Sequence, residues 1–231
     1  MKVASKGEWW TYNDIFVSGE YDMPIHAALK AASRGQPFVV LDLGANVGYF
    51  AYRVIDLISS LGRDDVGLDI TMVEGSPQTF LELEKRVRSQ PQLARVCRVV
   101  HGLVGQRSGS ALIRESAVHV KSTIIDVPNG RGIEVPFLDL DSLMVDKSEI
   151  DLLKCDIEGT EALFVENYPD LLRKVKHAVV EFHHEQCDTK KCLNQLEGLG
   201  FRHEVLRATE SFSVSFLCRS RMQSARECGS A

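Results

Sequence analysis

Short apolar runs and helix-spaced apolar positions alternate along the chain. Phe38-Val-Val-Leu-Asp42 is continuous and apolar until its last residue, which predicts a strand buried on both faces. Phe50, Val54, Leu57, Ile58 and Leu61 then recur at helical spacing, predicting a helix from Tyr49 to Leu61. Leu68 to Val73 is a second strand. Ser76-Pro77 is a helix start, with a side-chain cap followed by proline at the first helical position. That helix carries Phe80, Leu81, Leu83 and Val87 and ends before Pro91; Arg95 to Val100 forms a third strand.

Ser108 to Ser142 is less regular, with β-like pieces at Ala111–Ile113, Val118–Ile125 and Ile133–Phe137 around a turn at Pro128–Gly132. Ile150 to Asp156 is a strand followed by a helix from about Thr160; Lys176 to Phe182 is a strand followed by a helix ending near Gly198 or Gly200. Phe201–Leu206 and Phe212–Cys218 read as a closing hairpin. Strands alternating with helices predict an α/β, doubly wound, mostly parallel sheet with a C-terminal antiparallel hairpin. We expect one domain over 1–218, with 1–35 as an N-terminal cap segment and 219–231 as a flexible polar tail.

Composition adds limits. Of 231 residues, 27 are Lys or Arg and 32 Asp or Glu, a net charge of −5, with 44% hydrophobic. Such a chain can bury a core, and its acidic balance disfavours nucleic acid or an anionic membrane as partner. The longest apolar runs fall short of the roughly 20 residues a membrane helix needs. The positively charged start is not followed by an apolar run, which predicts no secretion signal, a cytoplasmic location and reduced thiols at Cys97, Cys155, Cys187, Cys192, Cys218 and Cys228.

In an open parallel sheet the ligand lies beyond the carboxyl ends of the strands, and polar residues collect there. They are Asp42-Leu-Gly-Ala-Asn-Val-Gly48, Glu74-Gly-Ser76, His101-Gly-Leu103, Lys154-Cys-Asp-Ile-Glu-Gly159 and Glu181-Phe-His-His-Glu185. Gly44 and Gly48 let the backbone turn tightly and approach a ligand. The loop reads G-x-N-x-G, a poor dinucleotide fingerprint. Asp42 suits a ligand carrying positive charge, such as S-adenosylmethionine (SAM), or else orients the loop by accepting its N–H groups. Glu74 is placed to take two ribose hydroxyls, or is an ordinary acid at a helix N-terminus.

These segments resemble the FkbM family of SAM-dependent methyltransferases. The resemblance rests on Val40-Leu-Asp-Leu-Gly-Ala-Asn-Val-Gly-Tyr-Phe50, Val73-Glu-Gly-Ser-Pro77, Leu138-Asp-Leu-Asp-Ser-Leu143 and Ile150-Asp-Leu-Leu-Lys-Cys-Asp-Ile-Glu-Gly-Thr-Glu161, and covers residues 15 to 185. It implies a class I methyltransferase (Rossmann-like) fold with seven strands, and methyl transfer to a hydroxyl oxygen of a sugar or natural product. It implies that Asp42, Gly44, Asn46 and Gly48 line the methionine end of SAM, that Glu74 holds the ribose, and that His101, Gly102 and Leu103 lie along the adenine; Ala45, Gly75, Ser76 and Asp156 are expected among the cofactor-binding residues as well.

Methyl transfer to an alcohol needs a base beside the acceptor oxygen. Asp156 and His183 rank first as base or orienter and Glu158 third; a capping or partly exposed histidine is the plainer reading of His183 or His184. Lys154, in a buried-looking run, is expected to pair with a carboxylate such as Glu181, and Glu161 reads as a first-turn helix acid. Magnesium held by Asp156, Glu158 and Glu181 is an alternative cofactor; the reading here requires no metal. His183, His184, Cys187 and Cys192 match no common zinc spacing. Trp9, Trp10 and Tyr12 either cover the site or pack against the core edge. His119–Thr123 and the Pro128–Gly132 turn, with Gly130 and Gly132, would rim the pocket or form a simple hairpin. The competing functions are a nicotinamide-dependent oxidoreductase, a non-catalytic SAM-binding module and a nucleic-acid methyltransferase. A monomer or homodimer acting on a small molecule is expected.

Overall fold

The computed structural model describes residues 3, 5–63, 66–114, 123–124 and 132–219. Most of the second β-like piece, the Pro128 turn with Gly130, His119 to Ser122, Cys228 and the tail beyond 219 lie outside the described residues.

In chain order the elements are helix α1 (Lys6–Tyr12), a one-turn π-helix (Asn13–Val17), α2 (Asp22–Ala31), strand β1 (Phe38–Leu43), α3 (Tyr49–Ser60), β2 (Leu68–Glu74), α4 (Pro77–Ser89), α5 (Pro91–Ala94) and β3 (Cys97–His101). There follow β4 (Ser110–Arg114), β5 (Thr123–Ile124), β6 (Ile133–Pro136), α6 (Leu140–Leu143), β7 (Ile150–Cys155), α7 (Glu161–Asn167), α8 (Pro169–Lys174), β8 (Val175–His183), α9 (Thr189–Gly198), β9 (Phe201–Ala208) and β10 (Phe212–Arg219). Seven strands form the main sheet in the order β3-β2-β1-β7-β8-β10-β9, and β5-β4-β6 form a small second sheet. The pairs from β3 to β8 are parallel, while β10 runs antiparallel to both β8 and β9. The closing hairpin therefore inserts its second strand beside β8 and leaves its first at the edge.

The continuous apolar strands are continuous because both sheet faces are covered. Alternate residues of β1 and β7 feed two cores. Val40 and Leu152 pack with Ile25, Phe50, Val54 and Leu83 from α2, α3 and α4. Leu41 and Leu153 pack with Phe164, Leu171 and Leu196 from α7, α8 and α9. Residues 1–35, expected only as a cap segment, hold two α-helices and a π turn, and Ile25, Ala28 and Leu29 of α2 are part of the first core. The Ser76 side chain caps α4 by accepting from the Thr79 N–H at 3.3 Å, and Pro77 follows at the first helical position.

Strand order decides where chemistry can gather. β1 lies between β2 and β7, so the loop after β1, Glu74 and Asp156 converge on one edge, with His183 one strand further along. No helix of the described residues is long and apolar enough to cross a membrane.

Candidate active site

The loop after β1 is fixed by backbone geometry. Gly44, Asn46 and Gly48 all have positive φ. A Cβ on Gly44 would stand 1.7 Å from the Asp156 carbonyl oxygen, so only glycine lets β7 pass over the loop. The Gly44 and Ala45 N–H groups donate to the Val73 carbonyl. Glu74, buried at the end of β2, ties this loop to the next. One of its carboxylate oxygens accepts from the Asn46 N–H and the other from the Ser76 N–H, both at 2.8 Å. Burial pushes the Glu74 carboxyl above its ordinary range against those two bonds. Each oxygen keeps a lone pair for a ligand hydroxyl.

Asp42 is fully buried beneath the loop, and neither of its carboxylate oxygens has a hydrogen-bond partner among the described residues. It does not accept the loop's N–H groups, which removes the loop-orienting reading. Its neighbour across the strand pair is Lys154, whose Nζ lies 3.6 Å from Asp42 and 3.5 Å from Asp156 and donates to the Gly44 carbonyl at 2.6 Å. Lys154 thus pairs with Asp42 and Asp156 rather than with Glu181. Burial raises the Asp42 carboxyl to about 6, although Lys154 opposes the shift. Burial opposes the charge on Lys154, but Asp156 and Asp42 outweigh it and hold the ammonium above its ordinary range.

His183, at the end of β8, is surrounded by acids. Its Nδ1 lies 2.9 Å from Glu161, and its Nε2 lies 3.4 Å from Glu158 and 3.6 Å from Glu181. Burial disfavours the imidazolium, yet Glu161, Glu158 and Asp156 raise His183 to about 9. Burial, reinforced by Asp156, lifts the Glu181 carboxyl to about 8. Glu161 does begin α7, as a first-turn acid would. It is also fully buried, and the oxygen facing His183 accepts from the Gly159 N–H as well. Sequence reasoning missed that second role. Nothing local in Gly159-Thr160-Glu161 separates it from an ordinary helix-starting acid.

Two cavities meet at this cluster. A narrow cleft is lined by Gly44, Asn46, Glu74, Gly75, Ser76, Gly102, Leu103, Asp156 and Glu158, with Ile113 of the small sheet on its far side. A larger cavity of about 700 Å³ is lined by Trp10, Tyr21, Ala45, Glu20, Lys154, Glu181, His183 and Arg207 among others. Asn46, Asp156 and Glu158 line both. Among the described residues, Asn46 and Glu158 are also the non-glycine residues with positive φ, at 50° and 52°. Held strain of this kind marks sites where side-chain placement matters more than local stability.

Asp42 and Gly48 line neither cavity. A Cβ on Gly48 would meet Leu83 at 2.9 Å, a packing role at the start of α3. The His101 ring stacks on Phe80 with centroids 4.8 Å apart and faces the Gly75 carbonyl at 3.2 Å. Trp9 and Trp10 are both half-exposed, and Trp10 stands at the wall of the larger cavity.

Asp156, Glu158 and His183 offer ligand atoms close enough to share a metal ion. The zinc set does not assemble. Cys187 and Cys192 face each other at 3.3 Å between sulfurs. His184 instead reaches the Glu210 carbonyl and the Ser213 hydroxyl, and His183 faces the acids.

A family model described as the methyltransferase FkbM domain matches residues 42–203. Among solved structures, the chain is similar to a methyltransferase FkbM from Methylobacillus flagellatus KT, with 14% identity and a TM-score of 0.56 over 78% of this chain. This chain spans 43% of that one. It is also similar to magnesium protoporphyrin IX methyltransferase from Synechocystis PCC 6803 with bound SAM, with 11% identity and a TM-score of 0.52 over 95% of this chain and 86% of that one. The sequence matches no curated protein. At these identities the likeness shows the fold, the seven-stranded Rossmann-like sheet of class I methyltransferases.

Proposed function

Because the chain belongs to the FkbM methyltransferase family, we propose that it transfers a methyl group from SAM to a hydroxyl of a small molecule or sugar. The observation that carries this reading is the meeting of two cavities at Asn46, Asp156 and Glu158. A donor held in one and an acceptor in the other would touch only there.

The residues of the cleft fit SAM. Glu74 has spare acceptor capacity at the end of β2, where a ribose would lie. Behind the cleft wall, the fully buried Asp42 and the lining Asp156 outnumber the one ammonium of Lys154, a net negative field that suits a ligand with positive charge. Gly75, Ser76, Gly102 and Leu103 provide close backbone and apolar walls. SAM supplies an activated methyl on a positively charged sulfur. The new O–CH3 bond forms as the C–S bond breaks, S-adenosylhomocysteine leaves, and the alcohol proton passes to a base.

His183 is suited to take that proton. Glu161 fixes its Nδ1 and so turns Nε2 toward the cavity. Its raised pKa makes it a strong base that acts in its neutral form only at alkaline pH. Asp156 is placed to align the acceptor hydroxyl, and Glu158 faces Nε2. Asp156, Glu158 and His183 could instead share a metal ion, whereas the absence of a G-x-G-x-x-G loop weighs against a nicotinamide cofactor.

Calorimetric titration with S-adenosylhomocysteine tests the reading, with NAD and a Glu74→Ala variant alongside. Micromolar binding that the variant loses and NAD does not show is expected. Binding of NAD in place of S-adenosylhomocysteine would overturn it.

A further inference from the structure

The larger cavity is too acidic for a neutral acceptor. Asp14, Glu20, Asp156, Glu158, Glu181 and Glu185 line it, against Lys154, His183 and Arg207. SAM in the neighbouring cleft would add one net positive charge, from a sulfonium, an ammonium and a carboxylate. With every carboxylate ionised and His183 protonated, an excess of two negative charges would remain.

Glu20 and Glu181 line this cavity but not the cleft. Glu20, in the turn between the π-helix and α2, is nine-tenths buried at its side chain. One of its oxygens faces Arg207 at 3.3 Å, and the other is buried with no hydrogen-bond partner among the described residues. Arg207 is divided between Glu20 and Asp14, at 3.3 and 3.5 Å. Glu181 faces His183 at 3.6 Å, beyond hydrogen-bond length. Tyr21 also lines the cavity, its ring nearly perpendicular to Phe50 with centroids 5.4 Å apart. Two donor-poor carboxylates beside an aromatic ring match a protonated amine, which brings N–H donors, charge and a cation for the ring face. Burial raises the Glu20 and Glu181 carboxyls above their ordinary range, and a cation bound beside them would favour their charged forms.

We propose that the acceptor is a hydroxylated amine, such as an amino sugar, whose ammonium is held by Glu20 and Glu181 while its hydroxyl is presented to Asp156 and His183. The inference rests on the transfer reading above and narrows its substrate class. The amine is a recognition group and stays protonated. Glu20 and Glu181 are specificity residues.

The test uses the full chain saturated with S-adenosylhomocysteine. It is titrated with glucosamine and N-acetylglucosamine, and with neamine and its fully N-acetylated form. Within each pair an ammonium is replaced by an uncharged acetamide, and the Glu→Gln variants separate the effect of charge from that of the added acetyl group. The amines should bind about tenfold tighter or more than their neutral partners. Glu20→Gln and Glu181→Gln should each remove most of that preference while leaving S-adenosylhomocysteine affinity unchanged, which also reports folding. Equal binding within pairs, no amine binding at millimolar concentration, or a preference intact in both variants would overturn the inference. So would magnesium chloride alone abolishing the preference by occupying the acids. Failure of S-adenosylhomocysteine to bind would count against the transfer reading; its binding without amine preference would count against this inference alone.

Discussion

The Glu161 carboxylate holds His183 by its Nδ1 at 2.9 Å, from inside the core and with no exposure of its own. That contact sets both the orientation and the proton affinity of the imidazole. If His183 is the base, transfer should rise with pH through an apparent pKa near 9. Glu161→Gln removes a full negative charge, so the limb should move to lower pH by about one pH unit or more. The maximal rate should fall, because a weaker base remains. A profile that keeps its inflection in the variant would exclude His183. Stability follows the same linkage. His183 is raised above its ordinary 6.5 in the folded state, so its stabilisation is full below that pH and is lost as pH climbs through 9. The stability gap between wild type and Glu161→Gln should therefore narrow between pH 6.5 and 9.

Gly44→Ala tests the crossing of the loop and β7. The new Cβ would fall 1.7 Å from the Asp156 carbonyl oxygen, on a backbone with φ near 74°. Neither the strand nor the conformation can yield cheaply. Loss of about 2 kcal/mol or more is expected in denaturant unfolding. Because the loop wall moves, S-adenosylhomocysteine affinity should fall at least tenfold in the fraction that folds.

Much of this arrangement is legible in the chain. Continuous apolar runs announced strands covered on both faces, and the polar residues after each run announced the ligand edge. Phe38–Leu43 and Ile150–Cys155 are fixed by such runs and lie side by side in the sheet. The helices of residues 1–35 were not legible, because α1 is short, its Trp9 and Trp10 face outward, and its stability comes from long-range contacts. Lys154 was legible as buried but its partners were not. Strand order puts Asp42 directly across from it, and no local pattern encodes that register. Glu20 and Tyr21 join the cavity only through the folding back of the cap, and Glu161 looks like any helix-starting acid until β8 brings His183 against it.

Lys154→Met isolates the charge balance beneath the loop. Removing the ammonium leaves Asp42 without its nearest cation and Asp156 with one fewer. Breaking a buried pair on one side costs about 3–5 kcal/mol. The pH dependence distinguishes this from a packing defect. In the wild type Asp42 is already raised from 3.8 to about 6. The folded state binds that proton more tightly than the unfolded chain, so stability falls as pH rises through 6. Without Lys154 the carboxyl keeps its proton to still higher pH. Denaturant midpoints should thus show a smaller deficit at pH 5 than at pH 8, whereas a cavity or clash would cost the same at both.

Glu8 clamps α1 to the body of the protein, and its removal separates the cap from the cofactor cleft. Glu8 is buried, and its carboxylate accepts from the Tyr49 hydroxyl at 3.0 Å and from Arg86 at 2.8 Å. Tyr12 adds an edge-on contact to the Tyr49 ring with centroids 6.0 Å apart. Glu8→Ala leaves a buried hydroxyl without its acceptor and Arg86 with Glu82, at 3.1 Å, as its remaining carboxylate. Helix α1 has seven residues, too few to persist once its anchor is gone. It should open locally at small cost to the whole, since little of the core lies under it. Chymotrypsin should then cut at Trp9 and Trp10 at least tenfold faster than in the wild type. S-adenosylhomocysteine affinity should not change, because no residue of α1 lines the cleft. A parallel loss of cofactor affinity would mean that α1 supports the loop after β1 rather than covering the acceptor cavity. Its contact with Tyr49, the first residue of α3, is the route by which that would act.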